Sequence, residues 1–329
     1  MNRLDLLNKL NAVSVGLSKK ELLEQSNSFI FAGKQLITFN GEIMCRTKNP
    51  FDFDAVVRAE ELVKLLSRMN DEEIKVTLVK NEIIIKGKAK LAGLTCEEEV
   101  LLPYKVVPKP TSWTEVTKGV TRALQQAAMT CGIDESMPKT TCVHVEKNKV
   151  EACDNFRMYR CKIKTGFPIE VLIPAISLKA IKSHKIKAVS SSKEWLHFKT
   201  SGGFILSLRC YADKYHDALD ALLNVKGDSI ELPAELGEIL ERAEVMVDAG
   251  YEAEVTLQIE NNKLTINSRK DGGWYKEQKK LKYKGTPLSF KVNPTFLVEI
   301  LEKTRTVVVG QGRMKIKTDN VEFMVCLEV

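Results

Sequence analysis

Along its 329 residues the chain passes three times through the same order of elements, at a spacing of roughly a hundred residues. That spacing is the size of a small domain and too long for a solenoid unit. Each pass reads as an amphipathic helix, a hairpin with a short polar turn, an apolar extended run leading into a second helix, and two or three closing strands. The repeats divide the chain at 1–110, 111–224 and 225–329. Pro103–Thr111, with three prolines, and Leu222–Ser229 are the expected linkers.

The periodicity carries this reading. In the middle repeat Trp113, Val116, Val120, Leu124, Ala127 and Cys131 recur at three- and four-residue steps, which predicts a helix capped by Ser112 and stopped by Gly132. In the last repeat Pro233 opens a helix with Leu236, Ile239, Leu240, Ala243 and Val247 on one face, ended by Gly250. Leu4, Leu7, Leu10 and Val13 do the same less cleanly in the first. Ser28–Phe39, Cys142–Cys153 and Val255–Ile266 alternate apolar and polar residues around turns at Gly33-Lys34, Lys147-Asn148-Lys149 and Asn261-Asn262-Lys263. Each repeat then runs into a second helix, at Glu60–Met69, Ile176–Ser183 and Thr295–Lys303, the last two behind Pro174 and Pro294. The closing strands end at Lys88–Cys96, Gly203–Tyr211 and Val321–Leu327.

Composition narrows the function. Apolar residues make up 44%, enough for sizeable cores, and no apolar run is long enough to span a bilayer. The N-terminus lacks the pattern of a signal peptide, so a cytoplasmic protein is expected. The eight cysteines form no Cys-x-x-Cys pair, and with the four scattered histidines they give no metal-binding spacing. Nucleotide-binding glycine loops and hydrolase motifs are absent, so no catalytic residue, cofactor or metal is expected. The acidic runs Asp71–Glu73 and Glu97–Glu99 read as solvated surface. Net charge is +7 overall, and by repeat it is +2, +6 and −1. The middle repeat is where an anionic partner would be met.

Two segments carry a resemblance. Ala152-Cys153-Asp154-Asn155-Phe156-Arg157-Met158 resembles the T-D-G-H-R-L stretch of the bacterial DNA polymerase III β subunits, the sliding clamps, or a phage-encoded relative. Phe290–Leu301, with an alternating strand running to the end of the chain, is similar to that family's final helix and strand. Asn155 stands where the family usually has Gly and Phe156 where it often has His, and the family's Met-Pro-Met-Arg-Leu end is here Val325-Cys326-Leu327-Glu328-Val329.

The resemblance implies an α+β fold of three tandem clamp domains, helices inside and sheets outside, two chains closing into a ring. It implies a non-enzymatic processivity factor whose partners are double-stranded DNA, a DNA polymerase, a clamp loader and a second copy of itself, with no membrane. The alternative is a non-enzymatic DNA-binding or replication scaffold that forms no closed ring. Lys64 and Arg68, Lys118 and Arg122, and Lys179 and Lys182 are basic residues on recurring helices, which in the family line the hole and attract phosphates without reading bases. The first helix of the last repeat is instead acidic, at Glu235, Glu238 and Glu241. Lys276–Lys284 reads as a solvated basic hairpin. Cys153, Phe156, Arg157, Met158, Leu223, Phe323, Val325 and Leu327 match in position the family's cleft for short apolar partner peptides. The same residues would also serve as ordinary core.

Overall fold

The computed structural model describes residues 1–329 except Glu135, Lys182, Ser183, Ala218, Ala249, Tyr251, Glu252, Glu302, Lys303 and Val329. Two compact units emerge, each assembled from segments of two sequence repeats. The first is Met1–Gln125, Val145–Lys147 and Lys164–Asp213. The second is Gln126–His144, Asn148–Ile163 and Lys214–Val329.

In the first unit one sheet runs Ala55–Arg58, Ser28–Ala32, Gln35–Phe39, Ile43–Lys48, Ile205–Arg209, Trp195–Thr200, Ile186–Ser192, Thr114–Glu115. Its centre is the antiparallel pair Ile43–Lys48 with Ile205–Arg209, which joins residues 161 apart in sequence at Cys45↔Leu206. A smaller sheet holds Lys75–Val79, Glu82–Lys86 and Leu91–Thr95. The helices Arg3–Val13 and Ala59–Arg68 pack together, burying Leu6, Leu10, Val13, Leu62 and Leu66. Leu102 and Val107, in the proline-rich segment expected as a linker, sit in the core with Ile30, Phe39, Met44 and Trp195.

The second unit repeats the scheme. The part of its sheet that begins at Lys149–Cys153 continues Arg157–Lys162, Val321–Cys326, Arg313–Lys317, Thr306–Gly310, Asp228–Glu231. Its central join is Arg157–Lys162 with Val321–Cys326, centred on Tyr159↔Phe323. A further sheet runs Gly273–Lys280, Lys263–Lys270, Val255–Glu260, Leu288–Val292. The helix Leu236–Glu244 covers it, packed on the helix Pro294–Leu301.

The expected hairpins are all present, and the left-handed backbone at Gly33, Asn261 and Asn262 explains the turn residues. Several expectations are corrected. The middle helix begins only at Val120 and ends at Thr130. Thr114–Glu115 is a short strand pairing with Ala188 and Val189, and Gly119 takes a φ of +98°, so the chain turns before the helix starts. Trp113 and Val116 therefore lie outside it. In the first helix Leu4 is half exposed while Leu6 takes its place in the core. Asp71 is buried: it accepts hydrogen bonds from the Lys88 amide at 2.9 Å and from Lys90 Nζ at 2.8 Å, and Gly87 leaves room for its carboxylate. The expected second helices ending at Ser183 and Lys303 run into residues outside the described ones.

The third strand of each repeat, Ile43–Lys48, Arg157–Lys162 and Gly273–Lys280, escapes the sequence pattern because charged residues interrupt it. In the first two strands buried arginines find hydrogen-bond acceptors far away in sequence. Arg46 donates to the Val107 carbonyl at 2.8 Å, and Arg160 to Glu151 at 2.6 Å and Asp220 at 2.5 Å.

Candidate partner-binding and nucleic-acid sites

The turn Asp154–Arg157 links Lys149–Cys153 to Arg157–Lys162 and is built around one carboxylate. Asp154 Oδ1 accepts the Phe156 and Arg157 amides at 2.8 and 2.7 Å, an Asx turn that holds Phe156 outward. Arg157 turns inward. Its Nε meets Asp154 Oδ2 at 3.1 Å, one terminal nitrogen meets Glu299 Oε2 at 2.8 Å, and the other donates to the Met129 carbonyl at 2.6 Å. The guanidinium also lies 4.1 Å from the centre of the Phe296 ring. A planar fork with five donors suits this convergence, and a lysine has no equivalent geometry.

Apolar side chains border this turn. Phe156 is 39% exposed, its ring centre 6.5 Å from that of Phe296. Met129, whose carbonyl Arg157 holds, is 60% exposed. Ile133, 79% exposed, follows Gly132, whose Cβ position would lie 3.7 Å from Asp154. The Cys326 amide donates to the Phe156 carbonyl at 2.7 Å, which brings the last strand to the same place, with Cys326 exposed and Leu327 half-buried. The final residues are tied down: Lys291 and Glu328 exchange backbone hydrogen bonds, and Lys291 Nζ lies 2.9 Å from the Glu328 carboxylate.

Of the eight residues assigned to a peptide cleft, Cys153, Met158, Leu223, Phe323 and Val325 are buried core and Arg157 is a buried brace; Phe156 is exposed and Leu327 half-buried. Sequence reasoning missed Met129, Ile133, Phe296 and Glu299. No local signal marks them: Met129, Phe296 and Glu299 meet Arg157 through tertiary packing, and Ile133 follows Gly132, which lies beside Asp154.

Beneath the turn is a buried polar cluster. Glu151 Oε1 lies 2.8 Å from His144 Nδ1 and 2.9 Å from Lys149 Nζ, while its other oxygen faces Arg160. Burial alone would raise the Glu151 carboxyl, but hydrogen bonds from His144 and Lys149 and the charge of Arg160 outweigh it and bring its pKa to about 2. The His144 ring stacks on Tyr215 at 4.7 Å, and the Tyr215 hydroxyl accepts the Cys153 amide at 3.1 Å. Burial pushes the Cys153 thiol upward, which favours its protonated form, and the sulfur lies 3.3 Å from the Tyr215 hydroxyl.

The basic residues lie in the first unit. Lys64 and Arg68 are exposed on the helix Ala59–Arg68, where Lys64 pairs with Glu60 one turn earlier. Arg122 is exposed on the helix Val120–Thr130, and Lys118 is exposed in the turn before it, so the two do not share a helix face. Lys179 is exposed in the 3₁₀ turn Lys179–Ile181, and Lys182 lies outside the described residues. In the second unit Glu238 and Glu241 are exposed on the helix Leu236–Glu244, with Glu235 as its exposed N-cap residue. Among the described residues no helix is long and apolar enough to cross a membrane.

Residues 220–322 match the family model of the DNA polymerase III beta subunit, C-terminal domain. No curated protein sequence matches the chain. Among solved structures, the beta subunit from the DNA polymerase of Streptococcus pyogenes aligns at 19% identity with a TM-score of 0.84, over 99% of this chain and 98% of that one. The DNA polymerase III beta subunit of Thermotoga maritima aligns at 18% identity with a TM-score of 0.82, over the same shares. The DNA polymerase sliding clamp of Bacillus subtilis aligns at 14% and 0.84, over 99% and 97%. From end to end, then, the chain has the fold of the DNA polymerase III beta sliding clamps, and its residues 220–322 match that family's C-terminal domain.

Proposed function

We propose that the chain is a sliding clamp: a non-enzymatic subunit of three tandem domains that closes with a second copy around duplex DNA and tethers a DNA polymerase. The carrying observation is the whole-chain match to clamp structures together with the family match of residues 220–322. The exposed cations of the first unit, Lys64, Arg68, Lys118, Arg122 and Lys179, are spread over several elements and present no single base-reading helix. Such a distribution attracts phosphates while leaving the protein free to slide. In the second unit the Phe156 turn offers what a short peptide needs, a few apolar anchors on a rigid support. A clamp loader would open and close the assembly, and the work is that of the cytoplasm.

The test is topological. Loaded onto nicked circular DNA, the protein should co-elute with the circle and be released when a restriction enzyme linearises it. Equal retention on circular and linear DNA would instead mark a scaffold that binds DNA without encircling it.

A further inference from the structure

We propose that the face of the sheet Gly273–Lys280, Lys263–Lys270, Val255–Glu260, Leu288–Val292 that points away from the helix Leu236–Glu244 binds single-stranded DNA. Trp274 is its stacking platform, and Lys263, Arg269, Lys276 and Lys280 are its phosphate contacts.

Period-two alternation gives this sheet two unlike faces. Val255, Leu257, Ile259, Leu264 and Ile266 are buried toward the helix, and Ser268 on the same face donates to the Ala243 carbonyl at 2.8 Å. The residues between them form the other face. The register sets Arg269 opposite Trp274, Asn267 opposite Lys276 and Lys263 opposite Lys280, with Thr256 between Asn267 and Lys291. Every side chain of this face within the four strands is polar except Trp274.

The net charge of −1 on the last repeat hides a separation of charge. Glu235, Glu238 and Glu241 are exposed at the helix that covers one face. The other face carries five cations, of which Lys291 is engaged by Glu254 at 3.3 Å and Glu328 at 2.9 Å. Lys263, Arg269, Lys276 and Lys280 form no ion pair with a described carboxylate. Lys263 directly opposite Lys280 is a like-charged arrangement that costs folding stability and that a bound phosphate offsets. Lysines on an edge strand guard against aggregation, which accounts for Lys276 and Lys280. It does not account for Lys263 and Arg269 one strand further in, nor for a tryptophan 66% exposed on the edge itself.

Shape selects the ligand. Trp274, Arg269, Asn267, Thr256 and Lys291 border a hollow of about 490 Å³, within the range of small-ligand sites. A base stacked on the Trp274 ring leaves its phosphate beside Arg269 and its polar edge beside Asn267 and Thr256. From Trp274 to Lys280 the strand runs about 20 Å at about 3.4 Å per residue, so the cations follow a backbone over several nucleotides. An open sheet face with an aromatic ring takes up unstacked bases. A duplex keeps its bases stacked and is read by an element that enters a groove.

The site does not depend on ring closure, so the test uses the full chain without loading and a linear, fluorescent oligo(dT) of about twelve nucleotides. Anisotropy at about 50 mM salt should show tighter binding of this strand than of a duplex of equal length. Trp274→Ala should weaken binding at least about fivefold, and Trp274→Phe should keep most of it. Arg269→Ala with Lys276→Ala should flatten the slope of log affinity against log salt by about 1.4. All three side chains are exposed, so unchanged circular dichroism and melting temperature separate lost binding from lost folding. No binding at low salt, an affinity that Trp274→Ala leaves unaltered, or a duplex bound as tightly as the single strand overturns the proposal. A loss confined to Lys118→Glu with Arg122→Glu places the oligonucleotide on the first unit and overturns it as well.

Discussion

The Arg157 guanidinium bridges the Glu299 carboxylate, 2.8 Å away, and the face of Phe296, tying the turn Asp154–Arg157 to the helix Pro294–Leu301 across 142 residues of sequence. This contact makes the turn rigid enough to present Phe156.

Replacing Arg157, whose side chain is 6% exposed, by Ala takes from Glu299 and Asp154 the cation they share. The expected cost is about 3 kcal/mol in a denaturant unfolding curve. Arg157→Lys should recover only part of this, since a single ammonium cannot span three acceptors. Full recovery by lysine would show that charge alone matters.

Phe156 is exposed and bonded to the fold mainly through its backbone, so Phe156→Ala should shift stability by no more than about 0.5 kcal/mol. The same change should weaken binding of a short apolar peptide from the cognate polymerase at least tenfold, about 1.4 kcal/mol, read by fluorescence anisotropy. Leu327→Ala with Glu328-Val329 deleted should abolish polymerase stimulation while sedimentation still shows a dimer. Unchanged peptide affinity in both variants would place the partner site elsewhere.

Two acid-sensitive groups should give two pH windows. His197, held between Ser192 and Ser207, has its pKa lowered from 6.5 to about 4, by burial first and then by the nearby Arg46 charge. The unfolded chain takes up that proton more readily, so this stability is present above pH 6.5 and is lost as pH falls toward 4. Glu151, lowered from 4.5 to about 2, contributes stability that is present above pH 4.5 and is lost between there and 2. Asp71 and Glu322 are lowered as well, so unfolding curves of Glu151→Gln should show a smaller second fall and keep the first. A full-size fall between pH 4.5 and 2 in that variant would assign it to other carboxyls.

Lys118→Glu with Arg122→Glu should weaken DNA association and lower the slope of log affinity against log salt by roughly 2, one phosphate contact for each lost cation. Both residues are exposed, so the melting temperature should hold. An unaltered salt slope would remove these two from the DNA-facing set.

The hairpins and most helices are legible in the sequence because their causes are local. Period-two alternation in Cys142–Glu146 and Val255–Glu260, left-handed Asn261 and Asn262, and the stripe Leu236, Ile239, Leu240, Ala243 each act within a few residues. The strands that join the repeats were settled only in three dimensions. Arg157–Lys162 reads as a polar stretch until Glu151, Asp220 and Glu299 arrive to neutralise its arginines. The start of the middle helix was likewise decided by pairing of Thr114–Glu115 with a strand more than seventy residues away, which overrode the apolar spacing of Trp113 and Val116. Periodicity reports which face of an element is apolar. Whether a charge on that element is buried depends on partners that only the folded chain brings within reach.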